Sequence, residues 1–229
     1  MAIVKKYRAE VLHIINKVDG IYTVELKSLS GSFKYQPGQF LHLTLDEYDP
    51  SGQWPESRCF SMQSSPGKEQ IRITYAIKGA FTSRMANELK QGSVVTLKLP
   101  YGDLFTQEHS MENTAFIAGG TGITPFLSLF SDISFSGYKN PKLYFGIRSE
   151  KFNIYQTDLE NANKINPDLA TLIVIEDTNG KIDIEQIFSV NGIKSTYFIS
   201  GPPEMISFFR NFIKKKGVPD KQIKTDEWN

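Results

Sequence analysis

The 229-residue chain has a single cysteine, Cys59, and only three histidines, His13, His42 and His109. One thiol excludes an internal disulfide and any four-cysteine zinc or iron–sulfur centre. No metal site is expected, and none of the histidines is assigned a role. Charge is balanced at +1, so neither a nucleic-acid footprint nor attraction to an anionic membrane is indicated. The run Lys214-Lys215-Lys216 closes a helical pattern and reads as a solvated helix end. The first residues hold no apolar segment of the secretory type, and no stretch approaches the length of a membrane span. A soluble, cytoplasmic protein is the expectation. Internal repeats and low-complexity segments are missing too. What the chain does have is apolar bulk: 40% apolar residues, 16 Phe and 10 Tyr, enough for a sizeable core in one large or two modest domains.

The most informative stretch runs from Thr114 to Ser128, Thr-Ala-Phe-Ile-Ala-Gly-Gly-Thr-Gly-Ile-Thr-Pro-Phe-Leu-Ser. Ala115 to Ala118 reads as a buried strand, and helical spacing resumes at Ile123, Phe126, Leu127 and Phe130. Between them lie Gly119, Gly120, Thr121 and Gly122, with Thr124 expected as the N-cap and Pro125 at the first helical position. Unpaired N–H groups at the positive end of a helix suit an anion such as a pyrophosphate. A tight strand-to-helix turn without a ligand is the other reading.

The two halves of the chain follow different patterns. Residues 3 to 28 alternate as two half-buried strands, with Tyr7, Ala9, Val11 and His13 on one parity and a turn at Asp19-Gly20. Further strands are expected at Phe40–Leu45, Arg58–Met62, Ile71–Ile77 and Val94–Leu99, with one short helix at Thr82–Leu89. Short strands with close turn signals predict a small antiparallel six-stranded β-barrel. After Met111, strands at 115–118, 142–147, 171–175 and 196–199 alternate with helices at 123–133, 154–163, 184–188 and 203–215, before a last strand near Ile223. That order predicts an α/β domain whose parallel sheet is covered on both faces. The chain thus divides into a domain over 1–108 and a domain over 109–229. In such a sheet, ligands bind beyond the carboxyl ends of the strands. The glycine turn, Arg148-Ser149 and Ser200-Gly201-Pro202-Pro203 would share that rim, which favours a bound ligand over an empty turn.

Five segments in order resemble the ferredoxin–NADP reductase family, a flavin-binding barrel followed by a nicotinamide-nucleotide domain. Arg58-Cys59-Phe60-Ser61 is similar to the family's Arg-x-aromatic-Ser signature. The resemblance implies that Arg58 clamps the flavin phosphate, Phe60 stacks on the isoalloxazine and Ser61 hydrogen-bonds near N5. Cys59 reads as a packed thiol. Gly79-Ala-Phe-Thr82 is similar to the Gly-x-x-Ser/Thr that receives the flavin phosphate, a plain helix cap being the alternative. Pro100-Tyr-Gly-Asp-Leu-Phe105 resembles the family's inter-domain turn. Gly119 to Pro125 resembles the Gly-Gly-x-Gly-x-Thr-Pro loop for the nucleotide pyrophosphate, giving Gly120, Thr121, Gly122, Thr124 and Pro125 as cofactor contacts. Ser200-Gly201-Pro202-Pro203-Glu204-Met205 resembles Cys-Gly-Pro-Pro-x-Met, with Ser200 where the family has a cysteine beside the nicotinamide. At the end of the chain, Asp226 takes the place of a family Glu, and Trp228 that of an aromatic that shields the flavin.

The family's NADPH-specific members place a Ser-Arg pair where this chain has Glu176-Asp177, and two carboxylates there favour the ribose diol of NADH. Arg148 and Lys151 point the other way. What the resemblance implies is a flavoenzyme using FAD, with FMN the less frequent option, and NADH or NADPH as reductant. Ser61, Ser200, Asp226 and Trp228 are the candidate catalytic residues. The acceptor is expected to be a separate protein, such as a ferredoxin, a flavodoxin or an oxygenase component, or a small molecule. An electron-relay or nucleotide-sensing subunit of a larger complex is the alternative.

Overall fold

A computed structural model describes residues 3–226, so Trp228 lies outside the described residues. The chain forms two compact units that divide between Gly102 and Asp103.

In the first unit, strands β1 (Lys5–Val18), β2 (Ile21–Ser28), β3 (Phe40–Thr44), β4 (Ser57–Ser61), β5 (Gln70–Ala76) and β6 (Val94–Tyr101) form one antiparallel sheet in the order β4-β3-β6-β1-β2-β5. Inward side chains come from alternate positions, among them Ala9, Val11, Leu41, Leu43, Ile71 and Leu97. The Gln63 N–H donates to the Arg72 carbonyl (2.8 Å), and the Arg72 N–H donates to Ser64 Oγ (2.9 Å). These bonds tie the chain leaving β4 to β5 and close the barrel. Helix α1 (Ala80–Glu88) buries Phe81 and Met85 in the same core.

The parity expected for β1 fails at one place. Tyr7, Ala9 and Val11 are buried, but the pairing with β2 shifts register between Val11 and His13, and His13 is exposed. A β-bulge absorbs one residue and turns the rest of the strand over.

The second unit carries β7 (Thr114–Gly119), β8 (Lys142–Ile147), β9 (Ala170–Ile175), β10 (Thr196–Ser200) and β11 (Ile223–Thr225), all parallel, in the order β11-β10-β7-β8-β9. Strand β7 alternates between two cores. Phe116 and Ala118 pack with α2 (Thr124–Phe130) and α3 (Gln156–Ile165), whereas Ala115 and Ile117 pack with α5 (Ile184–Asn191) and α6 (Pro203–Lys215). A four-residue helix α4 (Glu176–Asn179), not expected from the sequence, follows β9. Strand order runs outward in opposite directions from β7 and β10, which makes the gap between their carboxyl ends the switch point of the sheet. No helix of the described residues is long and apolar enough to cross a membrane.

Candidate functional site

In the barrel unit, β4 turns Arg58 and Phe60 to one side. They pair with Leu43 and Leu41, both fully buried. The Arg58 guanidinium lies 5.2 Å from the centroid of the Phe81 ring, at the first turn of α1. Its Nη1 donates to the Ser57 carbonyl (2.8 Å), and its Nη2 meets Glu56 Oε1 (2.9 Å). Both partners of the Arg58–Glu56 pair are about half exposed, so the pair contributes roughly 0–1 kcal/mol. The guanidinium is placed without being strongly committed. The first N–H groups of a helix have no partner inside it, and α1 has no acidic residue in its first turn. A cation thus stands by the ring of a first-turn residue of a helix whose first amides and absent acidic residues suit an anion.

Of the two readings of Thr82, phosphate contact or helix cap, the contacts it makes are those of a cap. Its Oγ1 accepts from the N–H groups of Lys78 (2.9 Å) and Gly79 (3.2 Å), and its hydroxyl donates to the Gly79 carbonyl (3.1 Å). The side chain secures the entry to α1. The backbone amides of the turn, with Arg58, are then the groups left for an anion.

Phe60 sits in the wall of the barrel core, its ring tilted 59° against Tyr75 at 6.0 Å. Ser61, the next residue, is buried, and its Oγ has no hydrogen-bond partner; the same holds for the Tyr75 hydroxyl. An unsatisfied buried hydroxyl costs about 1–3 kcal/mol, so such groups usually mark a missing partner. Cys59 points to the other side of β4, with Sγ 3.5 Å from His42 Nε2. Burial pushes the Cys59 thiol up against a smaller opposing effect of Arg58, and burial, helped by Lys98, pushes His42 down. A neutral thiol beside a neutral imidazole is a packed pair without an activated nucleophile.

In the second unit, the carboxyl ends of β7, β8 and β10 are in register: Ser200 pairs with Ala118, and Gly119 with Gly146. Gly120–Ile123 form a 3-10 turn before α2, so Thr124 is the first residue of the helix and not its N-cap. Its hydroxyl donates back to the Thr121 carbonyl (2.9 Å). The inserted turn takes over the capping role the sequence pattern assigned to Thr124, and Pro125 still falls in the first turn, where it displaces no hydrogen bond. Gly122 lies against the β10 loop. A Cβ there would stand 2.6 Å from Gly201 Cα, Gly201 N and the Ser200 carbonyl oxygen. Gly201 has φ +154 and faces Gly119 in turn. Two glycine loops are thus locked backbone to backbone at the switch point.

Ser200 is buried, and its hydroxyl donates to Asp226 Oδ2 (3.1 Å). The Asp226 N–H donates to the Ile199 carbonyl (3.0 Å), continuing the pairing of Ile199 with Thr225. Ser200, expected beside the nicotinamide, and Asp226, expected near the flavin, therefore meet. On the other side of the rim, the Asp177 N–H donates to the Arg148 carbonyl (3.0 Å), which sets the exposed Arg148 beside the exposed Glu176 and Asp177. Glu176 turns its carboxylate towards Lys181 at 3.8 Å. The Tyr75 hydroxyl and the contact between Ser200 and Asp226 are the features that the sequence did not announce.

Residues 116–211 match the family model described as oxidoreductase NAD-binding domain. The reductase component of a propane 2-monooxygenase from Mycolicibacterium goodii is 23% identical over 244 residues, covering 98% of this chain and 68% of that protein. The ferredoxin–NAD(P)(+) reductase component of a naphthalene 1,2-dioxygenase system from Pseudomonas putida is 26% identical over 216 residues, covering 86% of this chain and 62% of that protein. Among solved structures, a ferredoxin NADP+ reductase from Neisseria gonorrhoeae with bound FAD and NADP superposes with a TM-score of 0.81 at 17% identity, covering 97% of this chain and 98% of that one. Residues 116–211 thus carry an oxidoreductase NAD-binding domain, and the chain as a whole is similar in sequence to these reductase components and in its two-unit fold to the ferredoxin NADP+ reductase.

Proposed function

We propose that this protein is a NAD(P)H-dependent flavin oxidoreductase that binds FAD in its barrel unit and delivers electrons to a separate acceptor. The observation that carries the reading is the pairing of an anion cradle, Arg58 over the first turn of α1, with the buried and unpartnered Ser61 hydroxyl three residues on. A flavin has the two matching parts, a phosphate and a polar-edged ring. Arg58 and the α1 amides bind the phosphate, with Gly79 open beside them and Thr82 keeping the turn in shape. Phe60 offers its ring as a platform, and Ser61 supplies a hydrogen bond to the ring edge. When bound, FAD accepts two electrons as hydride and can release them one at a time.

The second unit binds the reductant. Gly120, Thr121, Gly122, Thr124 and Pro125 form the pyrophosphate loop, and Gly201 and Pro202 the facing wall. Ser200 spends its proton on Asp226, so its lone pairs are what it can offer to a nicotinamide. Its role is to orient the ring, and Asp226 positions Ser200. Trp228 keeps its proposed place as the aromatic shield. The acceptor is a ferredoxin-, flavodoxin- or oxygenase-type protein or a small oxidant, in keeping with relatives that are reductase components. The site of action is the cytoplasm, where NAD(P)H is supplied.

The deciding experiment is the visible spectrum of the purified protein followed by anaerobic addition of NADH or NADPH. A yellow protein bleached by the nucleotide is expected. A protein that takes up no flavin, or a flavin that neither nucleotide reduces, would overturn the reading.

Glu176 and Asp177 set the nucleotide preference towards NADH. Both are exposed at the end of β9, where they repel a 2′-phosphate, and Arg148 is the counterweight. Replacing Glu176 with Ser and Asp177 with Arg should move the NADPH/NADH ratio of kcat/KM at least about tenfold towards NADPH, the worth of one charge-assisted contact. An unchanged ratio would remove these carboxylates from the specificity site.

A further inference from the structure

We propose that Tyr75 is a further flavin-binding residue, its hydroxyl donating a hydrogen bond to the cofactor that sits against Phe60. The inference rests on the flavin reading above. Among the described residues of the barrel unit, only Ser61 Oγ and the Tyr75 hydroxyl are fully buried side-chain polar atoms without a partner. Both lie next to Phe60, Ser61 as its neighbour in β4 and Tyr75 through ring contact across to β5. Tyr75 is 3% exposed. Its ring also packs on Tyr22, stacked at 5.5 Å with an interplanar angle of 15°. Packed against two rings, the side chain keeps its hydroxyl buried. Aromatic walls also make a poor site for a lone bridging water, which needs two to four polar partners. A flavin ring edge carries several acceptors and meets that need.

Burial, with Tyr22 adding to it, pushes the Tyr75 hydroxyl above its ordinary pKa, so it stays a protonated donor. A core that required only an aromatic here would be served by Phe, as at Phe33, Phe60 and Phe81 of the same cluster. The phenol oxygen is the part that needs an explanation.

The test is Tyr75→Phe, which keeps the ring and removes only the oxygen. The dissociation constant for FAD is read from quenching of flavin fluorescence by the apoprotein, and the melting temperature is measured with and without FAD. Expected are a weakening of FAD binding by about fivefold, one neutral hydrogen bond, and an apoprotein that melts at the same temperature or higher, because an unpaired buried hydroxyl has gone. A shift of the bound-flavin absorption bands should accompany it. An unchanged FAD dissociation constant, or an apoprotein that melts lower, overturns the assignment of Tyr75 while leaving the flavin reading intact. Wild-type protein that binds no FAD overturns both.

Discussion

Arg58→Ala should weaken FAD binding by about 10- to 100-fold while leaving the fold of the apoprotein unchanged. The size follows from what the guanidinium has and what it lacks. In the protein alone it makes one exposed pair with Glu56 and one bond to the Ser57 carbonyl, and stands over the Phe81 ring. An exposed pair is worth roughly 0–1 kcal/mol and an exposed cation–π contact about 0.5–1, so their loss barely moves the melting temperature. Against a phosphate, the same group makes charge-assisted bonds of about 1.5–3 kcal/mol, reinforced by the α1 amides. The two effects separate cleanly. Titration of apoprotein with FAD, with thermal unfolding alongside, gives both numbers. Arg58→Lys should recover part of the affinity, since charge remains and the planar fork is lost. An Arg58→Ala protein that holds FAD as tightly as wild type would remove the phosphate clamp, and with it the main support for the barrel as a flavin domain.

The sequence carried the architecture well, because alternation and helical spacing are local signals. Strands β8 and α6 fall where the apolar pattern put them, and β7 extends its predicted run by one residue at each end. What it could not carry are features that depend on register or on a partner far along the chain. The bulge after Val11 leaves no mark in composition, and it exposes His13 against its parity. Helix α4 has four residues, too few for a period to show. Thr124 followed by Pro125 looks like a cap, yet Gly120–Ile123 coils first and moves the helix start onto Thr124. The Ser200–Asp226 bond spans 26 positions and exists because β11 runs parallel to β10 with Ile199 opposite Thr225. A tyrosine in a strand is ordinary, and it takes the folded barrel to leave the Tyr75 oxygen without a partner. Motifs name residues, whereas the contacts those residues make depend on partners that motifs do not encode. Thr82 is the clearest case: its hydroxyl is consumed by the backbone of Lys78 and Gly79.

Gly122→Ala should raise the KM for NAD(P)H at least about tenfold and destabilise the second unit, with FAD binding by the barrel unit preserved. One methyl group is enough because of what it would strike. The Cβ would lie 2.6 Å from Gly201 Cα, Gly201 N and the Ser200 carbonyl oxygen, all backbone atoms with no rotamer to change. Either the Gly119–Ile123 turn or the Ser200–Pro202 turn must move. Overpacking of this kind costs about 1–3 kcal/mol, and displacing the loop proposed here to bind the pyrophosphate through its amides adds a loss of nucleotide affinity on top. Gly137→Ala is the matched control, since its Cβ would meet only Met111 Sδ at 3.5 Å, an ordinary contact. Steady-state kinetics with saturating acceptor, with thermal unfolding of both variants, would make the comparison. Wild-type KM and melting temperature in Gly122→Ala would mean that the two loops are free to separate. The switch point would then owe its shape to something other than their contact. The expected result places nucleotide recognition in backbone geometry that only glycine permits, which explains why a loop with no charged side chain can serve a dianionic ligand.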